Sequence, residues 1–600
     1  MNNLKTINDK EPAFLCTTAL EDFWDTTKQL IFLTKGCLRY SRKSIWASLN
    51  SVVMDSPWTD QQRLREAYNY VMTLYERLLP IISASLNCIH NTKWNERYWR
   101  IVVGPWFHLY LHILYERYIT LVNAIEKYPD LITIGLSDAS FVNPVDTLEF
   151  VGLIHDDPYN LQLYTNLLIA LEIDFSRKDL EFKPDYQSGL CIEKMDKPFF
   201  KYFLQIIYNY LLKIFSRSNS LVLKQSYFSR TLEFQLFLKT FGQISINKIG
   251  RINLPRLKLE SYNRKRVTEG FTINNKFEDI VAKILPFDIP LSFIEGYSFI
   301  RQEVDKKYFF NPKAIFSVNS WYIDEGFKFW AAECSEKGVL LLGGQHGGVY
   351  GTNKYVPNEE HERKITDFYY TWGWTENNET HLLPFPATYL LRKKPIKSNI
   401  ETDSILFTII IEPRFSFQIP YTIDYLIKYF EWQSIFFSLI NQELLKKIRI
   451  RLFNNDLGWD YVQKIKESYP DICLEYVHEQ LFEQSLKKCR FFVADYLGTT
   501  YLEALVANKP TILFHDNQMI YNEWRSDAQY YYDRLQLGGI LYTSPQTAAD
   551  TINKYYDSAK EWWNEPERQA VRKLFCNRYA RTSPNAVREW TEEFKRIVNL

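Results

Sequence analysis

Between residues 404 and 514 the chain alternates short apolar runs with amphipathic stretches, and this rhythm constrains the fold more than any other feature. Residues 404–411 read as a strand, 423–445 as a helical region, 448–453 as a strand and 457–469 as a helix. The pattern continues with a strand at 472–476, a helix at 481–488, a strand at 491–494, a helix from about 500 and a strand at 511–514. Strands separated by helices pair in parallel, because a tight hairpin joins only antiparallel neighbours. The expectation is a doubly wound α/β domain, with ligands bound beyond the carboxyl ends of its strands. One similar unit lies upstream. A strand at 314–318 is followed by a helix at 324–337, with Asp324 as its cap and Gly338 as its stop, and by a strand at 339–342.

At 600 residues the chain is too long for one core. Residues 1–383 are read as an N-terminal Rossmann-like domain with a helical insertion at about 150–300. Residues 384–403, with Pro384, Pro386 and Pro395 and a basic cluster, are read as a linker. A second Rossmann-like domain then covers 404–575, and a helix covers 576–600. Near the start, a strand at 30–34 ends at Gly36, long helical patterns run over 60–86 and 95–128, and a strand falls at 132–135. The stretch 151–283 is mostly helical in pattern and yields no element order. Lys+Arg and Asp+Glu number 72 and 71, so the basic excess of a nucleic-acid-wrapping protein is missing. The eight cysteines are scattered without a CxxC pair, and the first residues lack the apolar core of a signal peptide. Both point to the cytoplasm. The apolar run 101–115 is too short and too polar to span a bilayer, which leaves surface association with the inner membrane open.

The motifs that can carry chemistry stand at strand ends. Gly343-Gly-Gln-His-Gly-Gly-Val-Tyr-Gly351 directly follows a strand. Its glycines let a ligand approach the backbone, and His346 can act as a general base or bind a phosphate. The bland alternative is a tight turn. In the second motif, Gly498, Thr499 and Thr500 stand where a helix begins, so free N–H groups and the helix dipole would cradle a phosphate. Glu503 lies one turn in and could accept bonds from ribose hydroxyls. The alternative here is simple capping by threonine. Arg414 and Arg451 end strand patterns and could hold phosphate or carboxylate, or form surface ion pairs. In the charge run after Asn358, Glu360, His361 or Asp367 could act as a base or orient His346, or form a solvated face. Arg97 and Arg100, near Trp99 and Trp106, could line an acceptor pocket or pack as a helix core. His108 and His112 lack a visible third metal ligand. HExxH, GxSxG, Walker A and GxGxxG are all absent.

The segments GGQHGGVYG, EEHERKITDFYYTWGW and DYLGTTYLEALVANKPTILF resemble a family of transferases encoded in bacterial surface-carbohydrate gene clusters. The stretches from Trp58 to Trp106 and from Ile323 to Glu333 are similar to it as well, so the match is scattered over most of the chain. The sequence departs from that pattern at Lys35-Gly36 and at Ser56-Pro57-Trp58. More distantly the layout is similar to GT-B glycosyltransferases: CMP-Kdo transferases, polysialyltransferases and CDP-glycerol glycerophosphotransferases. The resemblance implies an α/β fold of two facing Rossmann-like domains with the active site between them. The C-terminal domain would hold a nucleotide-sugar donor and the N-terminal domain, enlarged by helices, the acceptor. Gly498, Thr499 and Thr500 would hold donor phosphate and Glu503 the ribose, joined by Gln345, Gly347, Gly348, Arg414 and Arg451.

The expectation that follows is a metal-independent, inverting glycosyltransferase needing no cofactor beyond its nucleotide-sugar. The donor is read as a CMP-activated, Kdo-like or nonulosonic acid, on the argument that arginines near the cleft could hold its carboxylate. The acceptor is read as a surface glycan or lipid-linked glycan, contacted by Arg97, Arg100 and Trp106. His346 is the first candidate for the base, followed by Glu360 and Asp367. The alternatives are a CDP-polyol phosphotransferase, a nucleotide-sugar epimerase and a non-catalytic carbohydrate-binding protein.

Overall fold

The computed structural model describes residues 12–181, 220–308, 311–392, 403–452 and 456–600. Among the described residues, three parallel sheets of three or more strands organise the chain. The first is small: β1 (Phe14–Cys16), β2 (Leu30–Phe32) and β3 (Ser51–Val53), paired in that order. Two long helices follow, α1 (Gln61–His90) and α2 (Glu96–Lys127). Asp60 and Asn95 cap them by accepting from the amides of Gln62 and Tyr98 at 2.8 and 2.9 Å. α1 buries one stripe, including Leu64, Val71, Leu78 and Ile82, whereas α2 is enclosed on nearly all sides. The apolar run 101–115 is the middle of α2 and lies in the protein core. Among the described residues no helix is long and apolar enough to cross a membrane.

A two-stranded pair, β4 (Ile134–Leu136) with β5 (Ser176–Lys178), flanks α3 (Asp157–Ala170). The second sheet is built from β6 (Leu221–Lys224), β7 (Ile244–Ile246), β8 (Ala314–Ser317), β9 (Leu340–Gly344), β10 (Phe368–Thr371) and β11 (Leu382–Pro384). Its order is β11-β10-β9-β8-β6-β7, so the winding reverses between β6 and β8. Helices α4 (Glu325–Glu336) and α5 (Pro357–Ile365) belong to this half. Asp324 caps α4, and Gly338, at φ +82°, ends it as the sequence predicts.

The third sheet uses β12 (Ser404–Thr408), β13 (Ile448–Leu452), β14 (Cys473–Tyr476), β15 (Cys489–Ala494), β16 (Thr511–Phe514) and β17 (Leu541–Tyr542). Its order, β14-β13-β12-β15-β16-β17, is the dinucleotide-fold order, with the topological switch between β12 and β15. Helices α6 (Ile423–Leu439) and α7 (Thr499–Val506) connect its strands. Two helices close the chain, α8 (Pro566–Tyr579) and α9 (Ala586–Val598). The last returns to the second sheet, where Trp590 and Phe594 pack on Phe228 and Phe316 with ring centroids 5.2 and 5.6 Å apart.

The two-domain α/β fold with helical enlargement is thus as expected, and its details differ. The enlargement is not one helical insertion at 150–300, because β6 and β7 fall in that range and α1 and α2 precede it. The segment 576–600 is the end of α8 followed by α9. The linker range begins in β11, and residues 393–402 lie outside the described residues. β1 and β3, three residues each, are not among the strands read from the sequence.

Candidate active site

The glycine-rich loop leaves the carboxyl end of β9. Gln345 ties it together: its amide nitrogen donates to the carbonyls of Gly347 and Tyr350 at 2.9 and 3.4 Å. Its side-chain oxygen accepts from the Trp372 amide at 2.9 Å and the Trp374 indole at 2.8 Å. Gly351 sits at φ +73°, where an added Cβ would meet the Trp374 ring at 2.2 Å, so glycine is required by both backbone and packing. His346 is thereby presented beside α5, with Nδ1 3.3 Å from Glu362 Oε1. The same carboxylate accepts from Tyr350 at 3.2 Å and from Tyr369 at 3.1 Å, and it is buried. The Tyr350 hydroxyl stands 3.4 Å from His346 Nε2. Burial disfavours a charged imidazole, but the Glu362 carboxylate and a contact from the Val318 backbone outweigh it, so the His346 pKa is raised.

The second loop, 495–500, leaves β15 at the switch point and opens α7. The two loops touch. The Gly348 amide donates to Thr499 Oγ1 at 3.2 Å, and a Cβ on Gly348 would stand 2.1 Å from the Gly498 carbonyl oxygen. A Cβ on Gly498 would in turn meet the Tyr496 ring at 2.1 Å. Glycine at both positions brings the carboxyl ends of the two large sheets into contact, with the His346–Glu362 pair on one side and the first amides of α7 on the other. Glu503 is buried on the second turn of α7. Among the described residues no group of His, Cys, Asp and Glu is placed to hold a metal.

Beside the loop, a small, partly open cleft is lined by Tyr425, Tyr429, Trp432, Asp495, Phe514 and His515, among others. Its floor spans the switch. The Ile410 amide donates to the Tyr429 hydroxyl at 2.9 Å, and Tyr429 donates to Asp495 Oδ1 at 2.7 Å. The amide of Gln433 holds the other oxygen at 2.7 Å. Burial pushes the Asp495 carboxyl up to about 7 against these opposing bonds, and burial pushes His515 down to about 4. Lys428 and Asp516 form an ion pair at 2.7 Å on the rim.

Several predicted site residues are used elsewhere. Arg414 is buried and paired with Asp157, and it also donates to the Gly36 carbonyl. Arg451 is locked on Glu475, Ser485 Oγ and the Gln480 carbonyl. Neither guanidinium is open to a phosphate. Asp367 lies at the opposite end of the sheet from His346, accepting from the Leu341 amide at 2.7 Å and from Arg97 at 2.9 Å. Arg100 joins Glu76 and Glu96, both at 2.8 Å, and Trp106 stacks on Tyr110 at 5.0 Å in the core. Arg97, Arg100 and Trp106 therefore hold α2 in place. Glu360 accepts from Tyr68 at 3.0 Å, facing α1. Glu362, not Glu360, is the carboxylate paired with His346. Within α5, Glu359 and Glu362 are three apart and share a face, which helical phase in the sequence could have shown. Gln345 is committed to the internal bonds of its loop. Gly347, Gly348, Gly498, Thr499 and Thr500 remain at the junction of the two loops.

A profile of the LIC12162 family transferases matches residues 13–594. The chain belongs to that family. It is accordingly a transferase, and its fold resembles several solved glycosyltransferase structures at low identity. Acinetobacter baumannii MurG is 9% identical, over 63% of this chain and 99% of that one, with a TM-score of 0.30. The alpha,alpha-trehalose 6-phosphate synthase of Burkholderia multivorans is 10% identical, over 64% and 97%, with a TM-score of 0.32. Os79 of O. sativa, solved with UDP, is 8% identical, over 63% and 100%, with a TM-score of 0.32. Likenesses this distant give no residue a role. No curated protein matches the chain.

Proposed function

We propose that this transferase is an inverting, metal-independent glycosyltransferase that moves a sugar from a nucleotide-sugar to a glycan or lipid-linked acceptor. The observation that carries the reading is the contact between Gly348 and Gly498–Thr499, which sets the His346–Glu362 pair opposite a helix N-terminus. Neutral His346 takes the proton of an acceptor hydroxyl, and Glu362 stabilises the imidazolium that forms. The acceptor oxygen bonds to the anomeric carbon as the bond from that carbon to the phosphate oxygen breaks. The nucleotide leaves with the electron pair, and the first amides of α7 answer its charge. The aromatic cavity beside Asp495 would take the nucleoside end. The sequence points to a CMP-linked acidic sugar on the argument that arginines near the cleft could hold its carboxylate. Arg414 and Arg451 are committed, so the donor is proposed only as a nucleotide-sugar.

The test is a thermal-shift screen with CMP, CDP, UDP and GDP, followed by nucleotide-release assays with the matching nucleotide-sugars. Stabilisation by one nucleotide, with release lost in His346→Asn while nucleotide binding persists, supports the reading. Nucleotide release by His346→Asn at the wild-type rate refutes the assignment of the base. Absence of any nucleotide binding refutes the transferase site as drawn.

A further inference from the structure

We infer that the helix Arg230–Lys239 docks this protein on an anionic bilayer surface through Phe234, Leu238 and Phe241. Its inner face carries Leu232 and Leu236, which share a core cluster with Trp590 and Phe594 of α9. The opposite face is turned to solvent. Phe234 and Leu238 are 57% and 53% exposed, and Phe241, just past the helix end, is 77% exposed. Arg230, Phe234 and Leu238 recur every four residues and so form one stripe. A stripe of large apolar side chains in solvent marks an interaction surface. Phe241 is unusual in its backbone too. It has φ +51°, at the left-handed position of a helix end: its amide donates to the Leu238 carbonyl, and that of Gly242 to the Phe237 carbonyl, both at 3.1 Å. Glycine or asparagine is usual there, because a Cβ is unfavourable in that conformation. Neither burial nor backbone preference accounts for phenylalanine at 241, whereas entry into an apolar phase does.

The charges around the stripe decide its occupant. The Lys595 ammonium lies 5.6 Å from the Phe241 ring centroid. Arg230 heads the stripe and Lys239 ends the helix, and both are exposed. Among the described residues none of these three cations has an ion-pair partner. The one acidic residue of the helix, Glu233, accepts from the Ser226 hydroxyl at 2.8 Å. Apolar side chains flanked by unpaired Lys and Arg suit the boundary between acyl chains and anionic headgroups, where rings enter the apolar layer and cations meet phosphate. The place of the helix fits this use. Lys224 pairs in register with Ser317, and Ser317 with Gly343, so the loop from β6 to Arg230 leaves the same carboxyl end of the sheet as the glycine-rich loop. Docking there would hold the crevice beside a membrane, where a lipid-linked acceptor would be met; docking itself requires neither donor nor acceptor.

The experiment is co-sedimentation of the full chain with vesicles of phosphatidylcholine alone and of phosphatidylcholine mixed with phosphatidylglycerol. Wild type should bind the mixed vesicles and bind phosphatidylcholine weakly, and added salt should reduce the difference. The double variant Phe234→Ser, Phe241→Ser should lower partitioning to the mixed vesicles about tenfold or more, since the apolar contact is lost. The double variant Arg230→Glu, Lys239→Glu should remove the preference for the anionic lipid. Leu537→Ser, which changes a leucine 74% exposed in the other half of the chain, should bind as wild type does. All these side chains are exposed, so thermal melts of the variants should match wild type and separate docking from folding. The inference is overturned if wild type does not sediment with the mixed vesicles, if it shows no preference for them, or if the serine variant binds as tightly as wild type. It also falls if wild type ignores vesicles and forms a dimer that the serine variant dissociates, because the stripe would then join two copies of the chain.

Discussion

Gly348→Ala tests the junction of the two loops with a single methyl group. The added Cβ would lie 2.1 Å from the Gly498 carbonyl oxygen and 2.5 Å from its carbon, where ordinary contact begins at 3.4 Å. The nearest obstacle is backbone, so it cannot rotate away, and the loops must separate by about 1.3 Å (3.4 less 2.1). A displacement of about 1 Å between reacting groups can cost roughly a hundredfold in rate, and that loss is expected in kcat/KM for nucleotide release. Gly347→Ala is the matched control, because its nearest contacts are Tyr350 ring atoms at 3.6 Å, which is ordinary packing. It should keep activity within about twofold, since a surface-like substitution without a clash changes little. The assay is nucleotide release from the turning-over donor, with circular dichroism to confirm that both variants fold. A folded Gly348→Ala variant with wild-type kcat/KM, or equal losses in both variants, would refute the claim that the close approach of these loops builds the site.

Other consequences follow from the same geometry. His346 must be neutral to act as base, so activity should rise with pH through a pKa raised above 6.5; Glu362→Gln removes the main raising influence and should move that limb to lower pH. The stability contributed by that pair is fully present below the unfolded histidine pKa and lost as pH rises through the raised folded one, which thermal melts of wild type and Glu362→Gln across pH 6 to 9 would show. Arg525→Ala breaks ion pairs with fully buried Glu359 and with Glu376, and it should cost about 3 kcal/mol in denaturant unfolding, the low end for buried pairs because Arg363 still holds Glu359. Gly351→Ala combines a left-handed backbone with a clash against Trp374, and it should cost about 3 kcal/mol. Arg451→Ala should weaken stability by leaving buried Glu475 with Arg449 as its remaining ion-pair partner, with the nucleotide dissociation constant unchanged within about threefold, because Arg451 is locked away from the phosphate site.

The strand–helix rhythm makes the C-terminal sheet legible, since β12, β15 and β16 are runs of buried, mostly apolar residues. The glycine loop and the Gly498–Thr500 turn were legible for the same reason: both follow such a strand. What the sequence could not convey was which charged groups already have partners. Arg414 finds Asp157, 257 positions earlier, and Arg97 meets Asp367, 270 positions later. No local pattern announces contacts at that separation. Asp367 also shows how one residue of offset matters: it precedes β10 and so lies at the amino end of the sheet, away from the carboxyl-end loops. Glu362 is hidden differently: it stands in a charge run, and only the phase of α5 separates it from Glu360.

Hydrogen exchange with and without the stabilising nucleotide tests the central claim most directly, because it needs no acceptor and no identified sugar. The account predicts slower exchange in two separated segments, 343–351 and 495–506, since the nucleotide would sit on the amides of α7 and hold the facing loop closed. Protection confined to other parts of the chain, or to neither loop, would contradict it.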